Sequence, residues 1–263
     1  MARYISLYSG SSGNCSVVEE NGKFILIDMG KSARLTNKAL TELGLDIKNL
    51  QGILVSHEHT DHTAGLKVFL KNLRVPVYTG VATADFLTYN DLIPAHIDIQ
   101  DADYTGFNIG DFYVKGFETP HDSLCCMGYR ITTGKGHKMS IATDLGFVTE
   151  DIFHNLKDVS LTVLESNYDV QMLKEGPYPY YLKSRIASNR GHLSNDQSAQ
   201  TTLRLIESGV NKIQLCHLSN NNNTPTLALE RVQKTAVANG IVIGNDVQVK
   251  VNRRHEITAD TEF

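Results

Sequence analysis

No stretch of this 263-residue chain reaches the roughly 20 consecutive apolar residues that a membrane-spanning helix needs. The opening residues, Met1-Ala2-Arg3-Tyr4-Ile5-Ser6-Leu7-Tyr8, lack the apolar core of a signal peptide and read instead as a strand. Cysteine is scarce. Cys15, Cys125, Cys126 and Cys216 show no Cys-x-x-Cys spacing, and neighbours such as Cys125 and Cys126 make poor disulfide partners. That usage excludes a disulfide scaffold and predicts a reducing, cytoplasmic setting. A net charge of −4 excludes a chain coated in basic residues, but it leaves room for a local basic groove. Linkers, low-complexity segments and short repeats are also missing, so residues 1–263 are expected to form a single domain.

What is present is an ordinary globular mixture, 41% hydrophobic and 21% charged, long enough to bury a large core. Strand-like runs fall at 3–8, 15–19, 23–28, 53–56, 75–78, 111–118, 138–143, 159–165, 212–216 and 247–251. Helical periodicity over 32–43 places Leu35, Ala39, Leu40 and Leu43 on one face, and over 63–72 it groups Leu66, Phe69, Leu70 and Leu73. Ser194 with Gln197 reads as a capping box opening a helix at 195–208, and Pro225 suits the first turn of a helix over 225–239. The pattern is mixed α and β.

The chemistry concentrates after the apolar run Ile53-Leu54-Val55. Ser56 ends that run, and His57, His59, Asp61 and His62 follow in quick succession. Imidazole and carboxylate are the donors that hold zinc, manganese or iron in hydrolytic sites. In extended chain, residues two apart face the same side, so His57 and His59 can close on one ion. A turn into helix then swings Asp61 and His62 toward a second. Three further candidates follow strand-like runs: His121, Asp144 and His217. Singly each is weak, since a lone His is more often structural and Asp144 before Leu145-Gly146 suits a turn. Their weight comes from number, type and placement together.

The order His57-x-His59-x-Asp61-His62, His121, Asp144, His217 resembles the metallo-β-lactamase superfamily over almost the whole chain. The resemblance implies an α/β (α+β) fold, an αβ/βα sandwich of two mixed sheets flanked by helices. It implies that His57, His59 and His121 hold one divalent ion and that Asp61, His62 and His217 hold another, with Asp144 bridging. Asp28, after Phe24-Ile25-Leu26-Ile27, matches an acidic position that orients the metal loop. The implied cofactors are two divalent ions, zinc or manganese, with iron also suited to the donors, and no organic cofactor.

Fold leaves the substrate open. Glu165 closes an apolar strand and His192 precedes a helix, where a partial positive charge favours an anionic oxygen. A carboxylate on that His would favour its protonated form and make it a general acid toward a leaving alkoxide. The pair resembles the phosphodiesterase branch that contains the tRNA 3′-processing endonucleases, and Asp61, His192 and Glu165 form the expected catalytic set. Aromatics interleaved with Lys183, Arg185 and Arg190 suit single-stranded nucleic acid.

Leu7-Tyr8-Ser9-Gly10-Ser11-Ser12-Gly13-Asn14, Gly191-His192-Leu193-Ser194-Asn195 and His217-Leu218-Ser219-x-x-Asn222-Asn223 narrow the resemblance to the bacterial YycJ/WalJ-type hydrolases. That implies a 5′→3′ exonuclease acting on single-stranded or end-exposed DNA, and it adds Ser194 and Asn222 to the expected substrate-binding residues. Tyr168 departs from that group, where His is more frequent. The loop at 9–13 reads either as a tight turn or as a phosphate cradle. Alternative readings are hydrolysis of a small lactone, thioester or cyclic phosphodiester, RNA processing, and a non-catalytic binding protein.

Overall fold

The computed structural model describes residues 1–102 and 104–263. In the first half, β1 (Ala2–Tyr8), β2 (Cys15–Glu20) and β3 (Lys23–Ile27) run antiparallel in turn. Then β4 (Leu50–Leu54), β5 (Val77–Thr79) and β6 (Ile99–Asp101) add in parallel. In the second half, β7 (Phe107–Ile109), β8 (Phe112–Glu118), β9 (Met127–Thr132) and β10 (Lys138–Ala142) pair antiparallel. They are followed in parallel by β11 (Leu161–Glu165), β12 (Lys212–Cys216) and β13 (Gln248–Val251). The last strand, β14 (Thr261–Glu262), returns to pair with β1. Among the described residues these make two seven-stranded sheets with the same succession of antiparallel and parallel pairs.

The alternation of side chains along each strand builds the layers. On β3, Phe24 and Leu26 turn to the outer helices, while Ile25 and Ile27 turn inward. The inner layer joins Tyr4, Ile25 and Leu54 of the first sheet to Val114, Tyr129 and Val163 of the second. Outside the first sheet lie α1 (Ala33–Glu42), α2 (Thr60–Thr63), α3 (Leu66–Leu70) and α4 (Val81–Tyr89). Outside the second lie α5 (Glu150–Leu156), α8 (Asn195–Glu207) and α9 (Pro225–Ala238). Between β11 and α8 the chain inserts two short helices, α6 (Val170–Glu175) and α7 (Tyr180–Ile186). The arrangement is the αβ/βα sandwich that the resemblance to the metallo-β-lactamase superfamily implies.

Several local expectations change. Leu35 is exposed, and the small residues Ala33 and Thr36 take the inner face of α1 beside Ala39 and Leu40. The helix expected over 63–72 is shorter, with α3 covering Leu66–Leu70 and Thr63 ending the preceding α2 on the far side of Gly65. A side chain at Gly65 would place its Cβ 1.9 Å from Lys31 O, so this close crossing of backbones admits glycine alone. The strands β6, β7, β9 and β14 and the helices α4 to α7 carry too little periodicity to be read in advance. The capping box at Ser194 and the proline at the first turn of α9 are both present.

Candidate active site

The ends of β3, β4, β10, β11 and β12 lie together at one edge of the sandwich, where parallel strands commonly present ligand sites. Asp28 and Asp144, shortly after β3 and β10, adopt left-handed backbone angles, φ +62° and +57°. Aspartate tolerates that region better than most residues. His217, just after β12, adopts it too at φ +54°. Two bonds hold it there. Its N–H donates to Ser9 Oγ at 2.8 Å, and Asn167 Nδ2 donates to its carbonyl at 2.8 Å. Backbone strain of this kind persists only where the surroundings determine it.

These turns bring the ligand-type side chains into two adjoining sets. Donor atoms of His57, His59 and His121 lie within 4.8 Å of one another, and so do those of Asp61, His62 and His217. Asp144 lies between the sets. Its Oδ2 is 3.3 Å from His62 Nε2, while its Oδ1 is 3.7 Å from His121 Nε2 and 3.4 Å from His217 Nδ1. The rings of His62, His57 and His121 are held from behind. Asp28 Oδ2 is 2.7 Å from His62 Nδ1, and Asp28 also accepts from Ser56 N at 2.7 Å and Ser56 Oγ at 3.0 Å. Ser56 Oγ stands 3.0 Å from His57 Nδ1. His121 Nδ1 meets Gly191 O at 3.0 Å, which ties the first set to the segment carrying His192.

Two observations fit this cage to cations. His57 Nε2 is buried and has no hydrogen-bond partner among the described residues, a state that costs about 1–3 kcal/mol unless something supplies the missing contact. Burial, reinforced by the neighbouring His62, holds the His57 imidazole well below its ordinary pKa, so the ring offers a lone pair. The carboxylates of Asp28, Asp61, Asp144 and Glu165 face imidazoles, with no lysine or arginine paired to any of them among the described residues. Although burial alone lowers its pKa, His217 is pushed up to about 10 by Asp144, Asp61 and Glu165. Around His62 and His217 the carboxylates thus favour positive charge, and imidazole with carboxylate is a donor set for zinc, manganese or iron.

Glu165 is fully buried at the end of β11. Its Oε1 lies 2.9 Å from His192 Nδ1 and 2.7 Å from His217 Nδ1. Its Oε2 accepts from Leu193 N at 2.9 Å and Leu145 N at 3.2 Å. Burial alone would raise the Glu165 carboxyl, but His192 and the surrounding donors lower it to about 2, so it stays ionised. The same carboxylate raises the pKa of His192 against the effect of burial. With Nδ1 held by Glu165, His192 keeps Nε2 for a ligand, and one fifth of its side chain reaches solvent.

Beside this cluster runs an open groove of 710 Å³, lined by His59, Asp61, Lys67, Phe86, Leu124 and Arg185 among others. Arg185 is anchored at its edge by an ion pair with Asp122. Lys183 lies on α7 and donates to Lys174 O at 2.8 Å. The remaining residues expected to bind substrate have other uses. Arg190 directs Nε and Nη2 to His121 O at 3.1 and 3.0 Å, bracing the loop of a candidate ligand. Ser194 caps α8, and Asn222 is buried and bonded to Ser219, so both build the frame behind the site. The loop at 9–13 turns its amides inward, Gly13 N to Gly10 O and Gly10 N to Asn14 Oδ1, both at 2.8 Å. It is a tight turn whose product is Asn14, placed 3.1 Å from His62 Nε2. Sequence reasoning missed Asn14, Ser56 and Ser9, because an amide or hydroxyl acquires such a role only through contacts distant in sequence.

Residues 23–213 match the family described as "Beta-lactamase superfamily domain". The exodeoxyribonuclease YycJ of Bacillus anthracis is 33% identical over 246 residues, covering 92% of each chain. The exodeoxyribonuclease WalJ of Streptococcus pneumoniae is 31% identical over 254 residues, covering 94% of this chain and 93% of WalJ. The metallo-β-lactamase fold protein YhfI of Bacillus subtilis superposes with a TM-score of 0.72 at 15% identity, covering 97% of this chain and 99% of YhfI. The strand-end cluster of histidines and carboxylates and these likenesses agree: the chain is a hydrolase of the metallo-β-lactamase superfamily and belongs within it to the YycJ/WalJ family.

Proposed function

We propose that this hydrolase cleaves phosphodiester bonds of DNA, releasing nucleotides from a 5′ end. The observation that carries the reading is the Glu165–His192 pair on the solvent side of the buried cluster. Leaving alkoxides of DNA are poor and need a proton, whereas a thioester releases a thiolate that leaves readily without an acid of this kind. The exodeoxyribonuclease names of the two relatives support the choice of DNA. The polarity follows the resemblance to the YycJ/WalJ group.

His57, His59 and His121 would hold one divalent ion, and Asp61, His62 and His217 the other, with Asp144 shared. Zinc and manganese both suit these donors. Bound together, such ions activate water and neutralise charge building on phosphoryl oxygens. The rest is the work of side chains. His192 delivers a proton from Nε2 to the departing oxygen, Glu165 fixes the ring through Nδ1, Arg185 holds the strand along the open groove, and Lys183 meets it from the other face of α7.

The test incubates the purified protein with manganese or zinc and with strands labelled at either end, in DNA and RNA forms. Release of labelled mononucleotide from the 5′ end of DNA is expected. No release from either end of DNA would reject the reading, and faster cleavage of RNA would move it to RNA processing.

A further inference from the structure

A second cavity, of 480 Å³, opens on the opposite side of α7 from Arg185 and is lined by Tyr168, Val170, Leu173 and Tyr180 with Lys174 and Lys183. Tyr180, Lys183, Ser184 and Ala187 follow the spacing of one helical face, so this side of α7 is turned wholly to the cavity. Tyr168 is 6% exposed and forms a floor, whereas Tyr180 is 85% exposed and stands uncovered at the mouth. The segment that forms the floor is bonded on its other side to residues of the candidate active site. Asn167, next to Tyr168, donates to His217 O at 2.8 Å, and Tyr168 N reaches Leu193 O at 3.4 Å, beside His192.

We infer that this cavity seats one nucleobase of the bound strand. The inference rests on the phosphodiesterase reading above and names a subsite for it. An exposed tyrosine over an apolar floor offers a stacking surface for a flat ring. Neither Lys174 nor Lys183 is paired with a carboxylate among the described residues, so the apolar cavity carries an uncompensated positive flank. A nucleotide unites a flat apolar face with an adjacent anion, which a lactone or thioester does not. The volume falls in the range of small-molecule sites, about 300–1,000 Å³. Tyr168, the departure from the group's more frequent His, thereby acquires a role as the floor of the seat.

A titration with the 5′-monophosphate of 2-aminopurine deoxynucleoside, read by fluorescence quenching, tests the seat without any cleavage. Wild type and Tyr180→Phe are expected to bind alike, and Tyr180→Ala at least about tenfold more weakly. Tyr180 is a surface residue, so the variant should fold normally. Equal affinity in all three proteins would overturn the seat. In a second arm, a single abasic site is moved through the first four positions of a strand whose binding is measured. One position should weaken binding by about tenfold in wild type, and Tyr180→Ala should flatten that profile. A flat wild-type profile overturns the seat even when strands are cleaved. Mononucleotide binding that depends on Tyr180, without strand cleavage, would sink the DNA reading and uphold the seat.

Discussion

One oxygen of Glu165 serves two histidines: Oε1 lies 2.9 Å from His192 Nδ1 and 2.7 Å from His217 Nδ1. The candidate general acid and a candidate metal ligand therefore share one buried carboxylate. Anything that neutralises Glu165 should disturb proton delivery and metal affinity together.

Glu165→Gln is the direct probe of that coupling. Its amide would also set a donor against the backbone N–H groups of Leu193 and Leu145 or against the two rings. We expect kcat to fall by about 10²–10⁴ and metal affinity by about 10–100-fold. Metal analysis beside steady-state kinetics checks this, and an unchanged metal content would confine Glu165 to His192.

His192→Ala should separate the two effects. Metal content should stay at the wild-type level while DNA cleavage slows by about 10²–10⁴. A p-nitrophenyl phosphodiester, whose leaving group needs little protonation, should show a much smaller loss. Equal losses on both substrates would contradict proton donation by His192.

Asp28→Asn removes the charge behind His62 and Ser56 without removing any ligand. Affinity for zinc or manganese should drop by about 10–100-fold. With ligand at about 100 times its Kd, metal should stabilise the wild type by about 2.7 kcal/mol, and the variant should lose much of that gain. Thermal melts with and without chelator read the difference.

Lys183 and Arg190 should behave differently, although both lie in the segment where cations alternate with aromatics. Each phosphate contact contributes a slope of about 0.7 to the salt dependence of single-strand binding. Lys183→Ala should lower the slope by that amount. Arg190→Ala should leave it unchanged and lower Tm, because two of its donors hold His121 O. Kd values across a salt series, together with melting curves, distinguish the two residues.

Gly30→Ala tests the crossing beneath the metal loop. An alanine Cβ there would come 1.6 Å from Asp61 O, so the loop carrying Asp61 and His62 must move. We expect destabilisation of about 1–3 kcal/mol or more, together with loss of metal binding. A variant with normal Tm and full metal content would show that the loop yields easily.

The residues 57–62 could be read in advance because their meaning is local. An apolar strand ending in imidazoles and a carboxylate marks a candidate cation site from residue type and spacing alone. The capping box at Ser194 and Pro225 at the first turn of α9 were legible for the same reason, since each acts within one helical turn. Helices α6 and α7 were not legible, because short helices draw their stability from what they pack against and leave little periodicity of their own.

By its own order of residue types, the sequence determined a mixed α and β chain and the inventory of candidate ligand side chains, and the layered sandwich followed from the resemblance that this order carries. Only the tertiary structure decided how those side chains are employed. It joined Glu165 to His217, which is 52 residues away, turned Arg190 from a candidate strand contact into a brace for His121, and placed Tyr168 beneath a cavity. The physical reason is that residue type fixes which charge, donor or acceptor a side chain offers but not its partner. Its role follows from which distant groups the fold brings within hydrogen-bond reach, and how far it removes them from water.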